Sequence, residues 1–211
     1  MSSGIANHFV ELPRVEWKDG RPFAISRLSK GYASKLENLA LTKEDAIKAL
    51  PISEGWEKYA EKNPTTARYS SYSVFLLSPT THVLFFAIRE TYLHLLRELN
   101  LQPAPRYIQC WYNIHRGGEL LGRHKHPYPF IGTFSAYAEG SETRYGKTKE
   151  TSDSDATVKH VNGQLMVTTG EEHYHETSVW GDSNRARVTY AFDILGVEKW
   201  NRNQVFLPFD F

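Results

Sequence analysis

The segment Trp111–Pro127, WYNIHRGGELLGRHKHP, predicts two strands separated by a Gly-Gly break, and the second strand carries His124-Lys125-His126. Alternate side chains of a strand point to the same face, so His124 and His126 are expected side by side, with Lys125 turned away. Buried imidazoles need hydrogen-bond partners, and exposed neighbouring imidazoles repel each other once they are charged. A bound metal ion accounts for the pair better than either alternative.

A second alternating pair, His173-Tyr174-His175, follows about fifty residues later. Imidazole nitrogen is a ligand for iron, zinc and related metals, and enzymes keep coordination positions open by supplying three protein ligands. The sequence therefore predicts a mononuclear metal site at the mouth of a β-barrel. Four histidines are one more than such a site needs, so either His173 or His175 is expected to stay outside it. The remaining histidines are expected to be ordinary core or surface residues: His8, His82, His94, His115 and His160.

The composition limits the classes of protein to which the chain can belong. Its 211 residues, 40% of them hydrophobic, are enough for one domain with an extension. The net charge of +1 gives no signal for nucleic-acid or membrane binding. A single cysteine, Cys110, and an N-terminus without a signal-peptide pattern favour a reducing, cytoplasmic location.

Residues 1–30 predict short strands, and residues 30–100 predict a mainly helical support. Short strands are expected at His8–Leu12 and Phe23–Ile25, with a turn between them. Helices are expected from a capping box at Thr42 to Pro51, over Glu54–Lys62, and after a cap at Thr80 or Thr81. The last helix carries an apolar stripe at helical spacing that would pack on a sheet: Phe85, Ile88, Tyr92, Leu95, Leu96 and Leu99.

The second half of the chain predicts an antiparallel barrel or jelly roll, because short strand patterns alternate with turn residues. Asn162-Gly163 is a strong hairpin signal. The predicted organisation is an extension over residues 1–78 and a β core over residues 79–211. The expected strands are Tyr107–Ile114, Glu119–His126, Ile131–Ala138, Thr157–Val161, Gln164–Thr168 and Arg187–Leu195.

Two further segments of this half have their own patterns. Glu139–Asp155 contains one aromatic residue and no large aliphatic residue, which predicts a mobile polar loop that could close over a substrate. The aromatic tail Trp200–Phe211 is expected to pack on the domain or on a second copy of the chain, as in a homodimer.

The segment Arg187-Val-Thr189-Tyr-Ala-Phe-Asp193 provides the second functional signal. Strand alternation places Arg187, Thr189 and Asp193 on one face. An arginine and a hydroxyl that point together into a barrel are suited to binding a carboxylate. A buried arginine can also pair with an acid of its own chain, such as Asp193, so this segment is informative mainly because it follows His175.

Together these motifs make the chain resemble the 2-oxoglutarate/Fe(II)-dependent dioxygenase superfamily, and within it the prolyl/aspartyl-hydroxylase-like branch with a His-x-His-Pro motif. The resemblance covers roughly residues 80–196. The residues that carry it are Trp111, Asn113, Gly117, Gly118, His124, His126, Pro127, Gly163, His175, Glu176, Arg187 and Thr189.

The resemblance implies a double-stranded β-helix core of the jelly-roll, cupin-like kind. It also implies Fe(II) as the metal and 2-oxoglutarate as the cosubstrate, with hydroxylation of a second substrate and release of succinate. His124 and His175 would bind iron, and Arg187 with Thr189 would hold the distal carboxylate of 2-oxoglutarate. The lesser candidates for lining the cosubstrate pocket are Asn113, Tyr107 and Tyr137.

The chain departs from the usual His-x-Asp pattern of that superfamily, because His126 stands where the aspartate belongs. We expect a three-histidine set of His124, His126 and His175, which leaves the iron one charge more positive than a carboxylate set does. The alternative is a carboxylate ligand from elsewhere in the chain: Glu119, Glu171, Glu176 or Asp193.

Two other functions are compatible with the sequence. A cupin-type three-histidine metalloenzyme would not use 2-oxoglutarate; it would depend on His173, whereas an oxygenase would depend on His175. A catalytically inactive β-helix could instead serve binding or assembly. For an active enzyme, the expected substrate is a small molecule or an amino-acid or peptide group.

Overall fold

The computed structural model describes residues 8–150, 155–170, 173–199, 201 and 203–208. In these residues ten strands form two antiparallel sheets. The large sheet has the order β1-β2-β7-β4-β9-β3-β10, and the small sheet has the order β6-β5-β8. The strands are β1 (Phe9–Lys18), β2 (Arg21–Leu28), β3 (Arg106–His115), β4 (Phe130–Tyr137), β5 (Glu142–Gly146), β6 (Ala156–Lys159), β7 (Gln164–Thr169), β8 (Tyr174–Thr177), β9 (Arg187–Gly196) and β10 (Val205–Leu207).

Two helices, α1 (Lys30–Lys48) and α2 (His82–Glu98), cover the outer face of the large sheet. α1 begins twelve residues before the predicted capping box because the Ser29 side chain accepts a hydrogen bond from the Tyr32 backbone N–H at 3.2 Å. The predicted apolar stripe of α2 is buried at Ile88, Tyr92, Leu95 and Leu96. Each such side chain stabilises the fold by about 1.5–3 kcal/mol.

The two faces of β9 differ as strand alternation predicts. Tyr190 and Ile194 belong to the core beneath the helices, and the Tyr190 hydroxyl donates to the backbone oxygen of Leu36 in α1. Arg187 and Thr189 line the space between the two sheets. That space is closed near the small sheet by a second apolar cluster: Phe23, Ile25, Tyr145, Ala156, Val158 and Met166. The predicted fold class, a mainly β jelly roll with helical support, is confirmed.

The predicted strand Glu119–His126 is not formed as a regular strand. The segment runs alongside β8, but its strand pairing is limited to an isolated bridge between His124 and His175. The two backbones exchange hydrogen bonds of 2.9 and 2.7 Å at this bridge. The ladder is broken further along because the Leu121 N–H donates to the Thr177 hydroxyl instead of a backbone oxygen.

The predicted loop Glu139–Asp155 is wrong over residues 142–146, which form β5 in the middle of the small sheet. Thr143 and Tyr145 are buried and Arg144 is exposed, so the segment has the alternation of a half-buried strand. Its polar composition concealed that pattern. Residues 151–154 of the predicted loop lie outside the described residues.

The Asn162-Gly163 turn also differs from its prediction, because it connects the two sheets instead of forming a hairpin within one. β6 belongs to the small sheet and β7 to the large sheet. The Val161 carbonyl accepts from the Gln164 N–H at 2.9 Å. Gly163 has φ +86°, and a Cβ there would lie 2.4 Å from the Leu28 carbonyl oxygen, so glycine is required.

The N-terminal extension and the C-terminal tail also contribute to the large sheet and its surroundings. β1 and β2, from the predicted extension, form one edge of the large sheet, where β2 pairs with β7. The predicted helix Glu54–Lys62 is reduced to a 3-10 turn at Glu57–Tyr59. In the tail, β10 pairs with β3, while Trp200 and residues 209–211 lie outside the described part of the chain. None of the described helices is long and apolar enough to cross a bilayer.

Candidate metal centre and cosubstrate cavity

The structure brings three of the predicted ligands together. His124, His126 and His175 each offer a ring nitrogen within 4.8 Å of the others. The Nε2 atoms of His124 and His126 are 3.1 Å apart, and the rings of His124 and His175 have centroids 4.3 Å apart. The bridge between the segment before His126 and β8 fixes this approach, because it pairs His124 directly with His175.

The surroundings of His124 and His175 keep both imidazole rings neutral, which is the protonation state that binds metals. His124 Nδ1 lies 2.8 Å from the Gly122 carbonyl oxygen, so Nδ1 carries the proton and the Nε2 lone pair is available. Burial, followed by the proximity of His126, lowers the pKa of His124 to about 3. Burial also holds the pKa of His175 well below its usual range. Both rings are therefore neutral at neutral pH, as metal coordination requires.

His126 is oriented by an acid that the sequence analysis considered as a direct ligand. Its Nδ1 lies 2.7 Å from Oδ1 of Asp193, which is 1% exposed. Its ring also stacks on Trp111, with centroids 5.9 Å apart and planes at 16°. With Nδ1 turned to the acid, Nε2 faces His124. A carboxylate behind a ligating imidazole fixes the ring and increases its basicity.

The donor set fits a metal ion. Two nitrogen atoms bound at right angles about 2.1 Å from one metal lie about 3 Å apart, which matches the distance between His124 and His126. His173 lies outside the group of described residues that converge. Glu119 accepts from the Arg116 backbone N–H, Glu176 pairs with Arg123, and Glu171 is outside the described residues.

Arg187 lies in the space between the sheets and is 2% exposed. Its Nε donates to the Ser141 hydroxyl at 3.1 Å, and its two terminal nitrogens approach His115 Nδ1 at 3.1 Å and His160 Nε2 at 3.4 Å. No carboxylate in the described part of the chain forms an ion pair with it, and burial lowers its pKa to about 10. A guanidinium in this position remains charged and requires an anion.

The two histidines beside Arg187 were expected to be ordinary structural residues. Burial, with the nearby charge of Arg187, lowers the pKa of His115 to about 3 and that of His160 well below its usual range. Both rings are thus neutral and accept hydrogen bonds from Arg187 without neutralising its charge. His115 is held in turn by Asn63 at 2.7 Å. These partners come from distant parts of the sequence, so no local pattern could reveal them.

A cavity of about 40 Å³ connects this arginine to the histidine cluster. Its lining includes His126 and His175 at one end and Arg187 and Thr189 at the other. The Thr189 hydroxyl is buried and has no hydrogen-bond partner. Asn113 lines the same cavity, and its Oδ1 accepts hydrogen bonds from the Thr66 hydroxyl and the Trp111 indole.

Two other residues predicted for this pocket lie elsewhere. Tyr107 packs edge-on against Phe206 of β10, with ring centroids 5.8 Å apart. Tyr137 is covered by the guanidinium of Arg185, 3.6 Å from its ring centroid. Neither residue lines the cavity between the histidine cluster and Arg187.

A second cavity, of about 150 Å³, lies on the other side of His126. No sequence pattern predicts this cavity, because Trp56 and Tyr69 reach it from the irregular segment between the two helices. The tilted rings of Trp56 and Tyr69 have centroids 5.5 Å apart, and Tyr69 packs in the same way on Trp111 at 5.3 Å. Asp193 also lines this cavity.

No family model and no curated protein matches this chain, but solved structures share its fold. A crystal structure of a Pseudomonas putida prolyl-4-hydroxylase has 12% identity and a TM-score of 0.54, and covers 82% of this chain and 86% of its own. The non-haem monooxygenase ThoJ in its apo form has 11% identity and a TM-score of 0.55, with 98% and 84% covered. The non-haem alpha-ketoglutarate-dependent epimerase SnoN from nogalamycin biosynthesis has 10% identity and a TM-score of 0.52, with 81% and 76% covered. The likeness shows a shared double-stranded β-helix fold.

Proposed function

We propose that this protein is a non-haem Fe(II)- and 2-oxoglutarate-dependent dioxygenase that hydroxylates a second substrate. The observation that carries the proposal is the buried Arg187 guanidinium, which has no acidic partner among the described residues and shares a cavity with His126 and His175. A dianionic cosubstrate with one carboxylate at the arginine and the other near the metal matches this arrangement of charges. The folds of the prolyl-4-hydroxylase and of the alpha-ketoglutarate-dependent epimerase are consistent with the proposal.

The histidine cluster and several residues that line the cavity have roles in this proposal. His124, His126 and His175 would hold Fe(II), which would supply the oxygen chemistry that decarboxylates 2-oxoglutarate to succinate and CO2 and oxidises a C–H bond. Arg187 donates two hydrogen bonds to the distal carboxylate, and the unpartnered Thr189 hydroxyl donates a third. The apolar side chains of Leu121, Ile131 and Phe192 exclude water from the same space.

Asp193 offsets the charge that the missing ligand carboxylate would have supplied. It is one of the alternative third ligands, but it contacts the Nδ1 side of His126, away from His124. Its negative charge is therefore one imidazole ring removed from the metal position. The three-histidine set with Asp193 behind it has the same total charge as two histidines and one aspartate.

The central experiment is an anaerobic titration of the Fe(II)-loaded protein with 2-oxoglutarate. Bidentate chelation by the cosubstrate is expected to produce a weak visible charge-transfer band, and admission of oxygen is expected to yield succinate. Absence of both signals in protein that retains iron contradicts the proposal.

The matched variants are Arg187→Gln and Arg185→Gln. Arg185 lies two residues before Arg187 in the sequence. Its side chain is half-exposed and pairs with the carboxylate of Glu37. Arg187→Gln is expected to weaken 2-oxoglutarate binding by about 100-fold, because a charged hydrogen-bonded pair is lost, and Arg185→Gln is expected to leave it unchanged. Equal effects of the two variants would mean that Arg187 has only a structural role.

The alternatives give different results in the same assays. A cupin-type three-histidine enzyme would bind metal and consume oxygen without 2-oxoglutarate or succinate. A catalytically inactive β-helix would bind neither iron nor 2-oxoglutarate. The convergence of His175 instead of His173 with the other two histidines supports the 2-oxoglutarate-dependent alternative.

A further inference from the structure

The second cavity is lined by Asp193, a buried acid whose charge has the opposite sign to that of Arg187. Asp193 is 1% exposed, and no lysine or arginine of the described residues pairs with it. Burying a carboxylate without a cation is costly, so Asp193 can accept a positively charged group that no lysine or arginine of the described residues supplies.

Gln109 provides an independent observation at the same place. It is the direct cross-strand neighbour of Asp193 in the pairing of β3 with β9. Its side-chain nitrogen donates to the backbone oxygens of Tyr69 and Tyr72, which fixes the orientation of the amide. Its side-chain oxygen is buried and has no hydrogen-bond partner. A buried amide oxygen without a donor therefore lies beside a carboxylate that no lysine or arginine of the described residues pairs with.

The cavities beside these acceptors are lined by aromatic rings. Asp193, Tyr69 and Tyr128 are common to the 150 Å³ cavity and to a smaller one of about 60 Å³ that Gln109 also lines. The rings of Tyr69 and Tyr128 therefore line the same spaces as the carboxylate of Asp193.

Aromatic faces beside a carboxylate form a favourable environment for a cation, since the ring quadrupole attracts positive charge. The one basic residue that lines the larger cavity, Lys125, is exposed and places its ammonium group 5.3 Å from the ring centroid of Tyr174. Among the described residues, no lysine or arginine places its charged group beside Asp193.

From this juxtaposition we propose that the second substrate carries a guanidinium or ammonium group, which binds between the rings of Tyr69 and Tyr128 and donates to Asp193 and Gln109. The inference rests on the proposed function for the reaction, but not for the binding. His126 lines both cavities, so a substrate held in this way lies beside the histidine cluster, on the side opposite to Arg187. The negative charge of Asp193 also reduces the repulsion between such a substrate and a metal dication.

The test is calorimetric titration of zinc-loaded protein, without 2-oxoglutarate, with n-butylguanidinium and with its neutral isostere n-butylurea. The guanidinium probe remains protonated and does not coordinate zinc. It is expected to bind at least about 30-fold more tightly than the urea. Equal affinities of the two probes, or binding of neither, would overturn the proposal.

Two variants locate the binding. Asp193→Asn, at zinc concentrations that keep the site filled, is expected to remove the preference for the cation, and Trp56→Leu is expected to weaken both probes. Glu37→Gln is the matched control, because this buried acid pairs with Arg185 and does not line the cavity. A cation preference that survives Asp193→Asn would overturn the assignment. Since no 2-oxoglutarate is present, this test can fail while the succinate assay succeeds, and the reverse also holds.

Discussion

β9 carries two buried charges of opposite sign on one face, Arg187 at its start and Asp193 six residues further on. Arg187 and Asp193 are six residues apart and are both almost completely buried. Arg187 is held by two neutral imidazoles and a hydroxyl, whereas Asp193 is held against one imidazole of the candidate metal centre. Neither is balanced by a charged side chain in the described residues. If both proposals hold, an anion binds beside Arg187 and a cation beside Asp193, with His126 between them.

The largest expected effect comes from removing the residue that both cavities share. His126→Ala is expected to weaken metal binding by at least about 100-fold, because a third ligand is lost. The measurement is metal content after dialysis against a weak chelator, with His173→Ala as the control that should retain its metal. Full metal occupancy of His126→Ala would mean that the third ligand is a carboxylate and not His126.

The next prediction compares the effects of the two charged residues of β9 on metal affinity. Asp193→Asn is expected to lower metal affinity about 10- to 100-fold, because the imidazole loses the carboxylate that orients it. Arg187→Gln is expected to leave metal affinity unchanged, since its contacts do not include the three converging histidines. Competition with a chromophoric chelator measures both. If both variants lose the same affinity, the two ends of the strand are not functionally distinct.

A third effect concerns the neutral imidazoles at the Arg187 end. The pKa of His115 is about 3 in the folded protein and about 6.5 in an unfolded chain. Between these values the unfolded chain binds one more proton at this residue, so the free energy of unfolding falls as the pH falls below about 6.5. The slope contributed by His115 is about 1.4 kcal/mol per pH unit.

Urea unfolding of metal-free protein at pH 7, 6 and 5 measures this dependence. His115→Asn is expected to reduce the slope by the contribution of one proton. An unchanged slope would mean that His115 is charged in the folded state, and that Arg187 is not held by a neutral ring.

The smallest expected effect tests whether His115 positions Arg187. His115→Phe removes one hydrogen bond to the guanidinium and is expected to weaken 2-oxoglutarate binding by about 5- to 10-fold, because one hydrogen bond contributes about 1 kcal/mol. Metal affinity should not change. His115→Gln, which keeps an acceptor, is expected to recover part of the binding; a variant that also loses metal would indicate general disruption of the core.

The sequence predicted the three converging histidines and the inward face of β9, because strand alternation alone fixes which side chains share a face. It did not predict β5, where a polar composition conceals a strand with Tyr145 facing inward. It also placed Tyr107 and Tyr137 near the cosubstrate, whereas they pack at Phe206 and Arg185. The position of a residue in a strand predicts which face of the sheet its side chain is on, but not how far along the barrel it lies. Assigning a residue to a cavity therefore requires the positions of the neighbouring strands.

By itself, therefore, the sequence determined the jelly-roll class, the shared face of His124 and His126, and the shared face of Arg187 and Thr189, since these depend on local periodicity. Only the tertiary structure decided that Asp193 lies behind His126, that His115 and His160 hold Arg187 without neutralising it, and that Trp56 and Tyr69 close a second cavity. The physical reason is that these contacts join residues many positions apart. Their chemistry depends on burial and on missing counter-charges, which appear only when the strands are assembled.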